Sequence, residues 1–113
     1  MTTSRTADDL VYEVAGILGI VEAGEALGQV EYDTIDKNID SVLEEVSSIV
    51  YIGDRDDIPS RYFQTLARLV TVHSAAKFSN QTPDLATIRQ HEQRLRELAA
   101  QAPSYQPLKA DYF

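Results

Sequence analysis

The sequence predicts an all-α protein, a small helical bundle of about four helices with an extended C-terminal tail. Three observations predict it. Apolar residues recur at three- and four-residue steps through four separate stretches, the period that puts them on one helical face. Asp57-Ile58-Pro59 and Thr82-Pro83-Asp84 each set a capping residue beside a proline, which reads as a helix start. Residues 103–113 hold two prolines, at 103 and 107, and these forbid a helix through that segment. A chain of 113 residues, 43% apolar and 25% charged, supports one hydrophobic core and no more. The division is therefore a helical bundle domain over residues 1–102 and a C-terminal docking tail over 103–113.

Leu10, Val11, Val14, Ile17, Leu18 and Val21 define the first helix, from about Ala7 to Glu22. Asp8, Asp9 and Glu13 near its start suit the positive end of the helix dipole. Gly16 and Gly19 weaken it by about 1 kcal/mol each relative to alanine, so it should lean on its neighbours. Between Glu22 and Tyr32, with Gly24 and Gly28 inside, loop and helix are both open.

The second helix is the strongest by periodicity. Ile35, Ile39, Val42, Leu43, Val46, Ile49 and Val50 form its apolar face, with Asp36, Lys37, Asp40, Glu44 and Glu45 opposite. With Asp33 or Thr34 as N-cap it runs from about Thr34 to Ile49, roughly 24 Å at 1.5 Å per residue. Tyr51-Ile52 reads as a short extended stretch and residues 53–57 as a polar turn.

A third helix follows Pro59, capped by the preceding Asp57, and continues to about Phe78. Its face of Tyr62, Phe63, Leu66, Leu69, Val70 and His73, with Ala67, Ala75 and Ala76, is expected to be the most buried in the molecule. Ser79-Asn80-Gln81 breaks it. The fourth helix runs from Pro83 to about Ala100 on a narrower stripe of Leu85, Ile88, Leu95 and Leu98.

The tail is not composed like a solvated one. Tyr105, Leu108, Tyr112 and Phe113 are a large apolar load for eleven residues, whereas disordered tails are poor in aromatics. Two dockings are open: onto its own domain, or onto another chain as an extended peptide. On the second, Tyr105, Pro107, Leu108, Tyr112 and Phe113 are the partner-binding residues.

Net charge is −8, and it is unevenly spread. Residues 1–58 hold 14 of the 18 acidic groups and three basic ones, while residues 59–113 hold four acidic and seven basic. This polarity is either neutralised inside one domain or used between copies, the acidic side of one meeting the basic side of the next in a heterologous contact. The longest apolar run, Val14 to Val21, is too short for a membrane span, and the N-terminus lacks the apolar stretch of a secretory signal. A cytoplasmic product is expected. No cysteine is present, which removes disulfides, thiolate metal cages and cysteine nucleophiles.

Catalytic chemistry finds little footing. His73, on or beside the apolar face of the third helix, reads as a hydrogen-bonded packing residue, and His91, between Gln90 and Glu92, reads as exposed. No His-x-x-x-His or Glu-x-x-His pair offers a metal site. Asp54, Asp56 and Asp57 suggest calcium, but an EF-hand counted from Asp54 would put Pro59 where glycine is needed and Thr65 where glutamate is needed. They read instead as a solvated turn that caps the third helix. Glu22 with Glu25, or Glu44 with Glu45, make ordinary charged faces without a pocket. The glycine spacings lack the strand and lysine of a phosphate loop. Arg61 and Arg68, and Arg89 and Arg96, each share one helical side, but the net charge argues against an independent DNA binder. No enzymatic activity, metal or cofactor is expected.

The order Gly19-Ile-Val-Glu-Ala-Gly-Glu25, a long second helix, Tyr51-Ile52-Gly53-Asp54, Ile58-Pro59, and a third helix ending Ala75-Ala76-Lys77-Phe78 resembles the head-tail connectors of tailed bacteriophages, also called adaptors or head-completion proteins. The closing Tyr105-Gln106-Pro107-Leu108-Lys109-Ala110-Asp111-Tyr112-Phe113 resembles the tail of podovirus-like members. The likeness spans nearly the whole chain and rests on order, spacing and short strings. It implies a helical bundle bound beneath the portal protein, twelve copies to a ring, extending the DNA channel and offering tail components a docking surface. It further implies a place in the virion, reached from the host cytoplasm during assembly, with the C-terminal segment reaching along the portal or a neighbouring subunit. Some members carry long C-terminal extensions, whereas this sequence stops soon after its aromatic end. An acidic channel wall would let phosphate-rich DNA pass without sticking. The alternative is a small acidic helical regulator that binds one partner protein, one-to-one, through the second helix.

Overall fold

The computed structural model describes residues 4–21 and 26–101. The expected all-α bundle is found, built from α1 (Ala7–Leu18), α2 (Gln29–Glu45), α3 (Ser60–Phe78) and α4 (Leu85–Ala100). The two-residue strands β1 (Ser4–Arg5) and β2 (Ile58–Pro59) pair antiparallel, Ser4 opposite Pro59 and Arg5 opposite Ile58. The tail from 103 to 113 lies outside the described residues.

Helix α1 begins on a capping box. The Thr6 hydroxyl accepts from the Asp9 amide at 3.1 Å while the Asp9 carboxylate accepts from the Thr6 amide at 3.1 Å. It ends at Leu18, short of the expected Glu22, because Gly19 turns left-handed at φ 73° and Ile20 donates back to the Ala15 carbonyl. Gly19 is thus a terminator, where the periodicity suggested an interior weak point.

Helix α2 starts five residues before the expected Thr34 and stops four before Ile49. Gly28 is its N-cap, and the anticipated caps lie inside the helix. Asp33 accepts from the Gln29 side chain at 2.8 Å, and Thr34 donates to the Val30 carbonyl at 2.9 Å. Of the open stretch before Tyr32, residues 29–32 are therefore helical. After Glu45 the Ser47 hydroxyl takes the Glu44 carbonyl at 2.8 Å, and the chain leaves the helix through a turn over residues 46–49.

Asp57 does not cap α3. Pairing with β1 holds Ile58–Pro59 extended, Pro59 at φ −57° and ψ 135°, so the helix opens at Ser60 without a side-chain cap. It closes on Asn80 at φ 57°, with Gln81 donating to the Ala76 carbonyl at 2.8 Å. Helix α4 starts two residues after Pro83, on Asp84, whose carboxylate accepts from the Ala86 amide and the Thr87 hydroxyl.

One core fills the bundle, and α3 is its centre. Leu10, Val11 and Val14 of α1, Ile35, Ile39 and Val42 of α2, and Phe63, Leu66, Ala67 and Val70 of α3 are essentially shut off from water. Helix α3 packs against α1, α2 and α4, and α1 also packs against α2. Helix α4 packs substantially on α3 alone, through Ile88 and Leu95. Some expected core residues are not in it, among them Ala75, which is exposed, and Leu98, which is only partly buried. Leu85 opens α4 one turn before Ile88 and is 60% exposed, and Ile17, near the end of α1, is 47% exposed.

Candidate interaction surfaces

The architecture sorts charge into two poles with α3 between them. On the first, α1 carries Asp8, Asp9 and Glu13, α2 carries Glu31, Asp33, Asp36, Asp40, Glu44 and Glu45 against Lys37, and the loop before β2 adds Asp54, Asp56 and Asp57. On the second, α4 sets Arg89, Arg94 and Arg96 against Glu92 and Glu97, with Arg61 and Arg68 exposed on α3.

The acidic pole is knitted by specific bonds rather than left as loose charge. Arg55 reaches from the loop to α2, where it pairs with Asp36 and, at 3.3 Å, with Asp40. Asp36 is thereby half-buried in the fold, whereas Asp40 stays mostly exposed, as expected of that face. Asp56 accepts from the Ala7 amide at 3.2 Å, and Asp54 accepts from the Asp56 amide at 2.9 Å. The aspartate-rich turn therefore ties the start of α1 to the approach to β2, and does not cap α3 as expected. Arg5 lies over the Phe63 ring, 4.2 Å from its centroid.

Tyr12 and Tyr32 meet edge to face, ring centroids 6.2 Å apart, where α1 crosses α2. The Tyr32 hydroxyl donates to Asp8 at 2.7 Å. That bond, followed by burial and the Asp8 charge, pushes the phenol up to about 12. Asp9 is held below the ordinary carboxylate value, first by the Thr6 amide, with the Thr6 hydroxyl and Arg5 adding to it. No signal in the periodicity pointed to this cluster, although Thr6-Ala-Asp-Asp9 has capping-box spacing.

His73 is largely buried on α3, as expected, but it is not hydrogen-bonded at Nε2. That atom stands 3.6 Å from the Glu45 carboxylate and has no hydrogen-bond partner among the described residues. His91 is half-buried, not exposed, because it lies on the flank of α4 beside Arg68 of α3. Burial, then the Arg68 charge, push its pKa below the ordinary 6.5. Glu22 and Glu25 lie outside the described residues, as do Tyr105, Pro107, Leu108, Tyr112 and Phe113. Among the described residues no three metal-ligating side chains gather, and no helix is long and apolar enough to cross a membrane.

Surface clefts also mark the described residues. One of about 420 Å³ lies beside α2 and is lined by Val30, Asp33, Lys37, Asn38, Ser41 and Lys77. A second, about 350 Å³, has Val72, Ala75, Ala76 and Pro83 in its wall at the turn from α3 to α4. The third, about 470 Å³, lies between α3 and α4 and is lined by Arg68, Gln90, His91, Gln93, Arg94 and Glu97. In comparisons with known proteins no family model matches the chain, and no curated protein or solved structure matches it significantly.

Proposed function

We propose that the chain is a non-enzymatic structural subunit of a phage-type head-tail connector, ordered into a ring beneath a portal protein. The observation that carries this reading is the separation of charge across α3. An acidic α1–α2 face and the exposed arginines of α3 and α4 (Arg61, Arg68, Arg89, Arg94 and Arg96) on one small body are complementary surfaces for head-to-tail contact between copies, and such a contact closes when the rotation between copies allows it. Acidic groups outside the contact face the channel, where like charge lets DNA slide. The resemblance in order and spacing supports the same reading and supplies the count of twelve, the tail components as further partners, and the virion as location. Residues 103–113 are assigned the portal contact on composition, with Tyr105, Pro107, Leu108, Tyr112 and Phe113 as the apolar anchors.

The one-to-one regulator draws on the acidic face of α2. Arg55 already occupies Asp36 and Asp40 there, which leaves that reading the weaker support.

The test is negative-stain imaging of the full chain mixed with a candidate portal, compared with the chain cut after residue 102. The full chain is expected to add a ring layer, and the shortened chain to keep its helical circular dichroism and lose the layer. One-to-one complexes without rings, or equal binding by the shortened chain, overturn the assignment.

A further inference from the structure

We propose that the cleft between α3 and α4, lined by Arg68, His91 and Arg94, binds a tetrahedral oxyanion of the phosphate or sulfate type. The inference is independent of the connector reading. Two helices contribute the donors: Arg68 comes from α3, while His91 and Arg94 stand three residues apart on one flank of α4. Gln90 and Gln93 add amide donors to the same cleft of about 470 Å³. Arg68 has no carboxylate within 4.0 Å among the described residues, and Arg94 spends one nitrogen on Glu97 at 3.4 Å. The remaining guanidinium donors are free for a ligand.

Geometry favours a tetrahedral group over a carboxylate. A planar carboxylate is satisfied by a single guanidinium fork, whereas donors arriving from two helices match an acceptor with oxygens on several sides. The charged groups lining the cleft are Arg68 from α3 and Arg94 and Glu97 from α4, so the wall is positive even with His91 neutral. Burial, then Arg68, disfavour the charged form of that imidazole. An oxyanion seated among these groups reverses the local field and favours the charged imidazole, adding a third cation to the site. Among the described residues, Glu97 is the one acid lining the cleft, and none of the lining residues comes from α1 or α2. Long nucleic acid is a poorer source of the same chemistry, because the body carries a net charge of −8.

The experiment uses the full chain and its two histidines as separate reporters. Sodium sulfate is titrated while the imidazole resonances are followed, with sodium chloride at matched ionic strength as control. Sulfate keeps its charge across this pH range, so its affinity is expected to rise as pH falls through the His91 titration, with saturable shifts at His91 and none at His73. Arg68→Gln and Arg94→Gln each weaken binding about tenfold, the loss of one charge-assisted contact; Arg89→Gln and Arg96→Gln, on the opposite flank, leave it unchanged. Circular dichroism confirms that each variant is folded. Inorganic phosphate and a short oligonucleotide form the other arms. Saturation by sulfate and phosphate supports the site. Equal loss in all four variants, shifts that match chloride, or a response to the oligonucleotide alone overturns it.

Discussion

The two poles of this molecule are held by different means. On the acidic side α1, α2 and α3 contact one another pairwise, and their buried residues interlock with a net of side-chain bonds: Arg55 to Asp36 and Asp40, Tyr32 to Asp8, Asp56 to the Ala7 amide. On the basic side α4 rests on α3 through two buried residues, Ile88 and Leu95, and carries mostly exposed charge. The difference predicts that α1–α3 form the most cooperative part and that α4, packed on α3 alone, opens first.

Truncating the core on each side gives the largest test. Leu10→Ala and Leu95→Ala both empty fully buried positions, each costing about 2–5 kcal/mol. Leu10→Ala is expected to lower hydrogen-exchange protection in all four helices together. Leu95→Ala should lower it in α4 first, with α1 and α2 nearly unchanged. Uniform loss in the Leu95 variant would show that the bundle is one cooperative unit and that the distinction is wrong.

A middle-sized effect separates the charge networks. Arg55→Ala leaves half-buried Asp36 without its partner and is expected to cost about 1–2 kcal/mol, read as a lower denaturation midpoint with unchanged slope. Arg94→Ala breaks an exposed pair with Glu97 and should cost about 0.5 kcal/mol or less. Equal losses would mean that the acidic network adds nothing beyond surface pairing. Thr6→Ala, which removes one half of the capping box, is expected to cost about 1 kcal/mol and to fray the first turn of α1.

The sequence made the helical faces legible and left their ends obscure. Ile35, Ile39 and Val42 announced α2 because burial of one stripe dominates a helix's energetics. Its start did not follow from them, since Asp33 and Thr34 are as suited to a helix interior, bonded to Gln29 and Val30, as to a cap. Pro59 signalled a helix start, yet the pairing of Ile58–Pro59 with Ser4–Arg5 couples residues more than fifty apart, and no local pattern carries such a contact. The charge poles were visible as a bias along the chain. The cleft was not, because Arg68 and His91 come together only when α4 folds back on α3, and periodicity within one helix gives no information about the flank that meets its neighbour.

Proton linkage places one limb on each pole. His91 sits below 6.5 because burial and then Arg68 oppose its charge. As pH falls below about 6.5 the unfolded chain binds a proton that the folded chain resists, so stability contributed above that value is lost on acidification. Tyr32 lies at about 12 against an ordinary 10. Between those values the unfolded chain releases a proton that the folded chain retains, so stability present below pH 10 is lost as pH rises through the window. His91→Gln should remove the first dependence and Tyr32→Phe the second, each leaving the other in place, as read from denaturation midpoints across pH. Hydrogen exchange adds location: acid loosening belongs to α4 and alkaline loosening to the α1–α2 contact. Acid loosening that began in α1 and α2 would break the expectation that α4 opens first.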